Sequence, residues 1–95
     1  MKSSQINKLI KRNGRETEVL TCMEEPSELI QAISKTERSR QGDTFAPENL
    51  DNLYEEIADT MICIRILTHL YKLDANAIKA MQRKKEKRLV DRYKL

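Results

Sequence analysis

The chain has almost nothing with which to build a backbone cradle for phosphate. Gly14 and Gly42 are its only glycines, so a glycine-rich nucleotide loop or a dinucleotide-binding turn is excluded on count. It has no tryptophan, and aromatic residues make up 4% of the chain. The longest apolar stretch, Ile57 to Leu73, is interrupted by Asp59, Arg65, His69 and Lys72, which excludes the run of roughly 20 apolar residues that a membrane span needs. Two cysteines and a single histidine do not make a structural zinc set. Cys22 and Cys63 each sit among apolar neighbours and read as reduced core thiols. The opening Met-Lys-Ser-Ser-Gln leads into no apolar signal segment, so the expected location is the cytoplasm.

Within 95 residues, 39% are hydrophobic and 35% charged. That balance predicts one small folded domain spanning residues 1–95. The formal charge of +3 is modest, but its distribution is uneven. Acids gather at Glu24, Glu25 and Glu28 and again from Glu48 to Asp59, while bases dominate from Lys79 to Lys94.

Proline and glycine divide the sequence into four predicted helices. Ser3 or Ser4 opens the first, which carries Ile6, Leu9 and Ile10 and stops at Gly14. The second runs from about Arg15 to Arg38 with an expected apolar stripe of Val19, Met23, Pro26, Ile30 and Ile33. Pro26 lies in its interior, where it removes the hydrogen bond to the Cys22 carbonyl and should bend the helix. Residues 39–46 read as a loop. Pro47 sits in the first turn of the third helix, which runs to about Tyr71. Asp74 caps a fourth, which carries Ile78, Met81, Leu89 and Tyr93. No alternating stretch suggests a strand, so the predicted class is all-α. The third helix is apolar on two sides, with Leu50, Leu53, Tyr54, Ile57, Met61, Ile64 and Leu67 on one and Ile62, Ile66, Leu70 and Leu73 on the other. A helix buried on both sides in so short a chain predicts a homo-oligomer.

The chemistry concentrates in Glu24-Glu25-Pro26-Ser27-Glu28 and Glu55-Glu56-Ile57-Ala58-Asp59. Residues three apart share a helix face, so Glu25 with Glu28 and Glu56 with Asp59 can each grip one cation. Antiparallel helices would merge the pairs into a four-carboxylate cluster suited to Mg²⁺ or Mn²⁺. Acidic pairs on helices are also common as solvated faces, and Glu48 and Glu55 fit that description. Asp59 fits it less well, because Ile62, Ile66 and Leu70 follow it along the helix and a carboxylate at the edge of a buried surface needs a partner.

These residues resemble the MazG-like nucleotide pyrophosphohydrolases, a branch of the all-α NTP pyrophosphatases whose signature is EExxE followed by ExxD. Here it reads Glu24-Glu25-x-x-Glu28 and, after residues 29–55, Glu56-x-x-Asp59. Flanking it are an Ile-Asn-Lys-Leu-Ile helix before Gly14, the run Glu-Leu-Ile-Gln-Ala-Ile from Glu28, and a basic segment Lys85-x-x-Arg88-x-x-x-Arg92. The likeness extends from about Ile6 to Arg92. It implies a four-helix bundle completed as a homodimer or homotetramer, and hydrolysis of nucleoside triphosphates to the monophosphate and pyrophosphate. It further implies Mg²⁺ held by Glu25, Glu28, Glu56 and Asp59, supporting or proton-accepting roles for Glu24 and Glu28, and phosphate contacts from Lys85, Arg88 and Arg92. Pro26 departs from the unbroken helix usual in the family. The acids have no base-reading aromatic beside them, and Tyr54 is expected to pack in the core. Two other readings compete. A degenerate helical protein would bind metal or nucleotide without turnover, and a nucleic-acid module would use the basic fourth helix. The second leaves the convergent acids unexplained and has no helix-turn-helix spacing to support it.

Overall fold

A computed structural model describes all of residues 1–95. The chain is all-helical: α1 (Ser3–Asn13), α2 (Arg15–Arg38), α3 (Pro47–Leu70) and α4 (Ala75–Tyr93). An isolated bridge between Gln41 and Thr44 closes the α2–α3 loop and is the only strand-like pairing. None of the helices is long and apolar enough to cross a membrane.

The helix ends follow local chemistry. The main-chain N–H of Lys2 donates to Gln5 Oε1 at 2.7 Å at the start of α1, the place sequence reading gave to a serine cap. Gly14, at φ 90° and ψ 150°, makes the corner between α1 and α2, a conformation open essentially to glycine alone. Pro47 begins α3, and Asp74 Oδ1 accepts from Asn76 N–H at 2.8 Å to cap α4. Between α3 and α4, Lys72 takes a left-handed φ of 52°. Leu73 N–H donates there to Thr68 O at 2.9 Å, the wrapped ending that satisfies last-turn carbonyls.

α2 and α3 form an antiparallel hairpin and supply most of the interior. Near its open end Cys22 Sγ donates to Cys63 O at 3.6 Å; near the loop, Asn49 Nδ2 donates to Ser39 Oγ at 2.7 Å. The core is Ile6 of α1 set among Cys22, Cys63, Ile66 and Leu70, with Leu9, Ile10, Val19 and Leu67 around it. Across the open end, Arg15 Nη1 donates to Leu70 O at 2.8 Å, and its guanidinium stacks 4.9 Å over the Tyr71 ring. α2 stays helical through Pro26, and Ser27 Oγ donates to Glu24 O at 2.6 Å within that turn.

The expected apolar stripes need correction. The stripe Met23, Ile30 and Ile33 faces solvent, each side chain more than half exposed, while the buried residues of α2 are Glu18, Cys22, Ala32 and Thr36. Of the two expected α3 faces, Ile66 and Leu70 are buried and Leu67 packs against the core, whereas Tyr54, Ile57, Met61 and Ile64 of one face and Ile62 and Leu73 of the other are exposed. The four expected helices are present, and within one chain α4 stands apart from the other three. α4 buries no residue, leaving a three-helix core with a projecting helix. The radius of gyration is 16.7 Å, against about 12 Å for a compact domain of this length.

Candidate metal centre

Along the α2–α3 seam the buried positions recur every three or four residues, and their chemistry changes with depth. Cys22, Cys63, Ile66 and Leu70 make the apolar end; Ala32, Thr36 and Asn49 make a small, polar end near the loop. Between them, where a packed pair of helices would normally place leucines, stand Glu25, Glu56 and Asp59, all half-buried. One carboxylate oxygen from each lies within 4.8 Å of the others.

The cluster is electrostatically unbalanced. Glu25 Oε2 and Glu56 Oε2 are buried and have no hydrogen-bond partner. Burial raises the pKa of both carboxyls above the ordinary range, and repulsion from Glu28 and Asp59 raises them further. No ion pair joins either carboxylate to a Lys or Arg. A buried carboxylate oxygen without a donor is costly, and a hard cation answers that cost directly. Oxygens on one octahedral Mg²⁺ lie at most about 4.2 Å apart, so these three would need to draw slightly closer to share a single ion. The donor set therefore fits Mg²⁺ or Mn²⁺.

The structure brings together three of the four acids expected to share a cation. The fourth, Glu28, is exposed; it lines the adjoining groove with Glu56, and its charge helps raise the pKa of both Glu25 and Glu56. Glu24 is exposed, one position round the helix from Glu25. Lys85, Arg88 and Arg92 lie on α4, fully outside the core. Lys85 lines a hollow of about 470 Å³ with Leu73, Ala77, Ile78 and Met81 rather than approaching the acids.

A polar groove of about 310 Å³ adjoins the cluster, lined by Glu28, Gln31, Ala32, Lys35, Asn52 and Glu56. The larger hollows, along α4 and beside Arg15 and Tyr71, do not touch the carboxylates. Sequence reading passed over Gln31, Lys35 and Asn52, although a positional signal existed. Lys35 is seven residues beyond Glu28 and Asn52 four before Glu56, and both spacings keep a residue near the same helix face.

His69, expected to be a packed or surface residue, lies with Nδ1 3.2 Å from Asn7 Oδ1. Comparison with known proteins finds no matching family model, no matching curated protein and no matching solved structure.

Proposed function

We propose that this chain is a MazG-like nucleoside triphosphate pyrophosphohydrolase that depends on Mg²⁺, with Mn²⁺ as a substitute, and works as a homodimer or homotetramer in the cytoplasm. The observation that carries the reading is the pair of buried, unpartnered oxygens, Glu25 Oε2 and Glu56 Oε2, turned into a cluster with Asp59. A structural ion pair would have supplied a base, and a solvated acidic face would not have buried these atoms.

Glu25, Glu56 and Asp59 would hold the ion, with Glu28 completing the set from the adjoining groove. A bound divalent cation supplies charge neutralisation of the phosphates and a more acidic water. In the reaction the water oxygen bonds to the α-phosphorus, the bond from that phosphorus to the α–β bridging oxygen breaks, and pyrophosphate leaves. Glu28 is our choice for the group that takes the water's proton, because it is open to solvent and lines the groove beside Glu56. Glu24, exposed beside them, would play the outer supporting part.

The exposed surface supports assembly. The chain exposes 7872 Å², whereas a compact monomer of this mass exposes about 5,700 Å². The excess, roughly 2,200 Å², exceeds the ~800 Å² that each partner gives to a standard interface. Much of it is apolar: Met61 and Ile64 on α3, and Ile78, Met81 and Leu89 on α4. Docking α4 on a second copy would cover these faces and could carry Lys85, Arg88 and Arg92 to that copy's phosphates, where they would act as charge-assisted donors. Cys22 and Cys63 are free and buried, which suits a reducing compartment.

The test is ³¹P NMR of the purified protein with Mg²⁺ and a panel of ribo- and deoxyribonucleoside triphosphates. The expected result is monophosphate plus pyrophosphate, lost in Glu28→Gln and Asp59→Asn while helicity is kept. Stepwise orthophosphate, or full activity in both variants, would overturn the assignment.

A further inference from the structure

We propose that Lys35, with the amides of Asn52 and Gln31, forms a subsite within the protomer for the terminal phosphates of the substrate, the part released as pyrophosphate. This inference rests on the pyrophosphohydrolase reading above and adds residues that the signature motifs do not contain.

The groove beside the acids begins at Glu28 and Glu56 and ends at Lys35. Its two ends therefore carry opposite charge. Two glutamates at the near end repel phosphate unless a cation lies between, so a polyanion enters only after the ion is bound. The far end supplies one ammonium, which binds phosphate as a compact point charge with three donors. Gln31 and Asn52 also line the groove, together with Ala32, which is only 2% exposed.

These polar side chains are uncommitted. Nearby hydrogen bonds run from Thr36 Oγ1 to Ala32 O and from Asn49 Nδ2 to Ser39 Oγ. The chain's ion pairs are Arg40 with Glu37 and Lys87 with Asp91, and Lys35 belongs to neither. Lys35 and Gln31 are exposed and Asn52 half-buried, so two amides and an unpaired ammonium line one hollow with water as their only partner, free to exchange it for phosphate oxygens.

The lining also says which part of a nucleotide fits. A base is held by stacking on aromatic or apolar walls, and this groove has none. Amide and ammonium donors suit phosphate oxygens, so the groove takes the phosphate tail and the nucleoside leaves the cluster in another direction. Lys35 thus provides, within one copy, a phosphate contact independent of the α4 bases.

The test is calorimetric titration of the full-length protein with inorganic pyrophosphate in the presence of Mg²⁺, which needs no turnover. Lys35→Ala should weaken binding by at least about tenfold, and Lys35→Arg should restore it to within about threefold. Asn52→Ala should give a smaller loss. Lys8→Ala, which removes an exposed charge from α1, should leave binding unchanged. Binding to Lys35→Ala within twofold of the parent would overturn the proposal, as would an equal loss in Lys8→Ala or no binding by the parent. Should the parent bind pyrophosphate through Lys35 yet hydrolyse no triphosphate, the reaction assignment fails and the subsite stands.

Discussion

Cys22 donates its thiol proton to the main-chain carbonyl of Cys63 across the α2–α3 seam. Each cysteine lies one turn from the acid cluster, Cys22 before Glu25 and Cys63 after Asp59, so this contact closes the apolar side of the site. Burial is the main cause that pushes the Cys63 thiol up to about 12, and it raises Cys22 as well.

Because thiolate rather than thiol is the nucleophile, neither cysteine should react with iodoacetamide in the native protein at pH 8, and both should react once it is unfolded. The shift also fixes a stability slope. Thiol pKa values higher in the folded state mean that the folded chain holds these protons more tightly. The contribution is fully present below the unfolded value near 9 and is lost as pH rises toward 12. Thermal melts across that window should show stability falling. Fast native alkylation would contradict both statements.

The acids give a second pH dependence with its own window. Glu25 and Glu56 are raised above the ordinary carboxyl range of about 4.5, first by burial and then by Glu28. In metal-free buffer their contribution to stability is present below that value and is lost as pH rises through the raised pKa values. Divalent cations should reverse the loss at neutral pH and have little effect at acidic pH. Melting curves with Mg²⁺ and with chelator, at pH 4 and pH 7.5, measure the difference. Glu56→Gln should raise the chelated melting temperature at pH 7.5 and abolish the response to Mg²⁺.

Gly14 tests the corner between α1 and α2. A Cβ placed there meets nothing within 4 Å, so Gly14→Ala creates no clash and isolates the conformational cost of φ 90°. The expected destabilisation is about 1–3 kcal/mol, measured by urea denaturation. A neutral result would mean that the corner relaxes without displacing Ile6 from the core.

The bare face of α3 tests assembly. In a monomer, Ile64→Asp at a half-exposed position should change stability by about 0.5 kcal/mol or less. In the proposed oligomer the same charge would enter an apolar interface and should dissociate it. Light scattering of the parent and the variant separates the cases: a monomeric parent would remove the oligomer from the proposal.

Much of this could be read from the residues, for identifiable reasons. Pro47, Asp74 and Gly14 mark helix boundaries by steric and capping rules that act within a few residues, and the structure follows them. The acidic pairs were legible because a spacing of three has one meaning on a helix. The packing stripe of α2 was not. Its buried positions hold Glu18, Cys22, Ala32 and Thr36, which carry weak apolar signals, while Met23, Ile30 and Ile33 carry strong ones on a face turned outward. Periodicity finds the greasiest face of a helix and does not say which neighbour covers it. For the same reason the outward course of α4 was hidden, since Ile78, Met81 and Leu89 would look alike whether covered within one chain or by another. Lys35 and Asn52 were passed over because their significance comes from the register between two helices.

The corner at Lys72 has a mechanical consequence. Within one chain, main-chain hydrogen bonds and one left-handed residue set the direction of α4, with no buried residue along the helix to correct it. A helix of 19 residues is a lever about 28 Å long, so a rotation of about 10° at this joint sweeps its tip through roughly 5 Å. Three residues, Tyr71, Lys72 and Leu73, thereby set the aim of everything the arm carries.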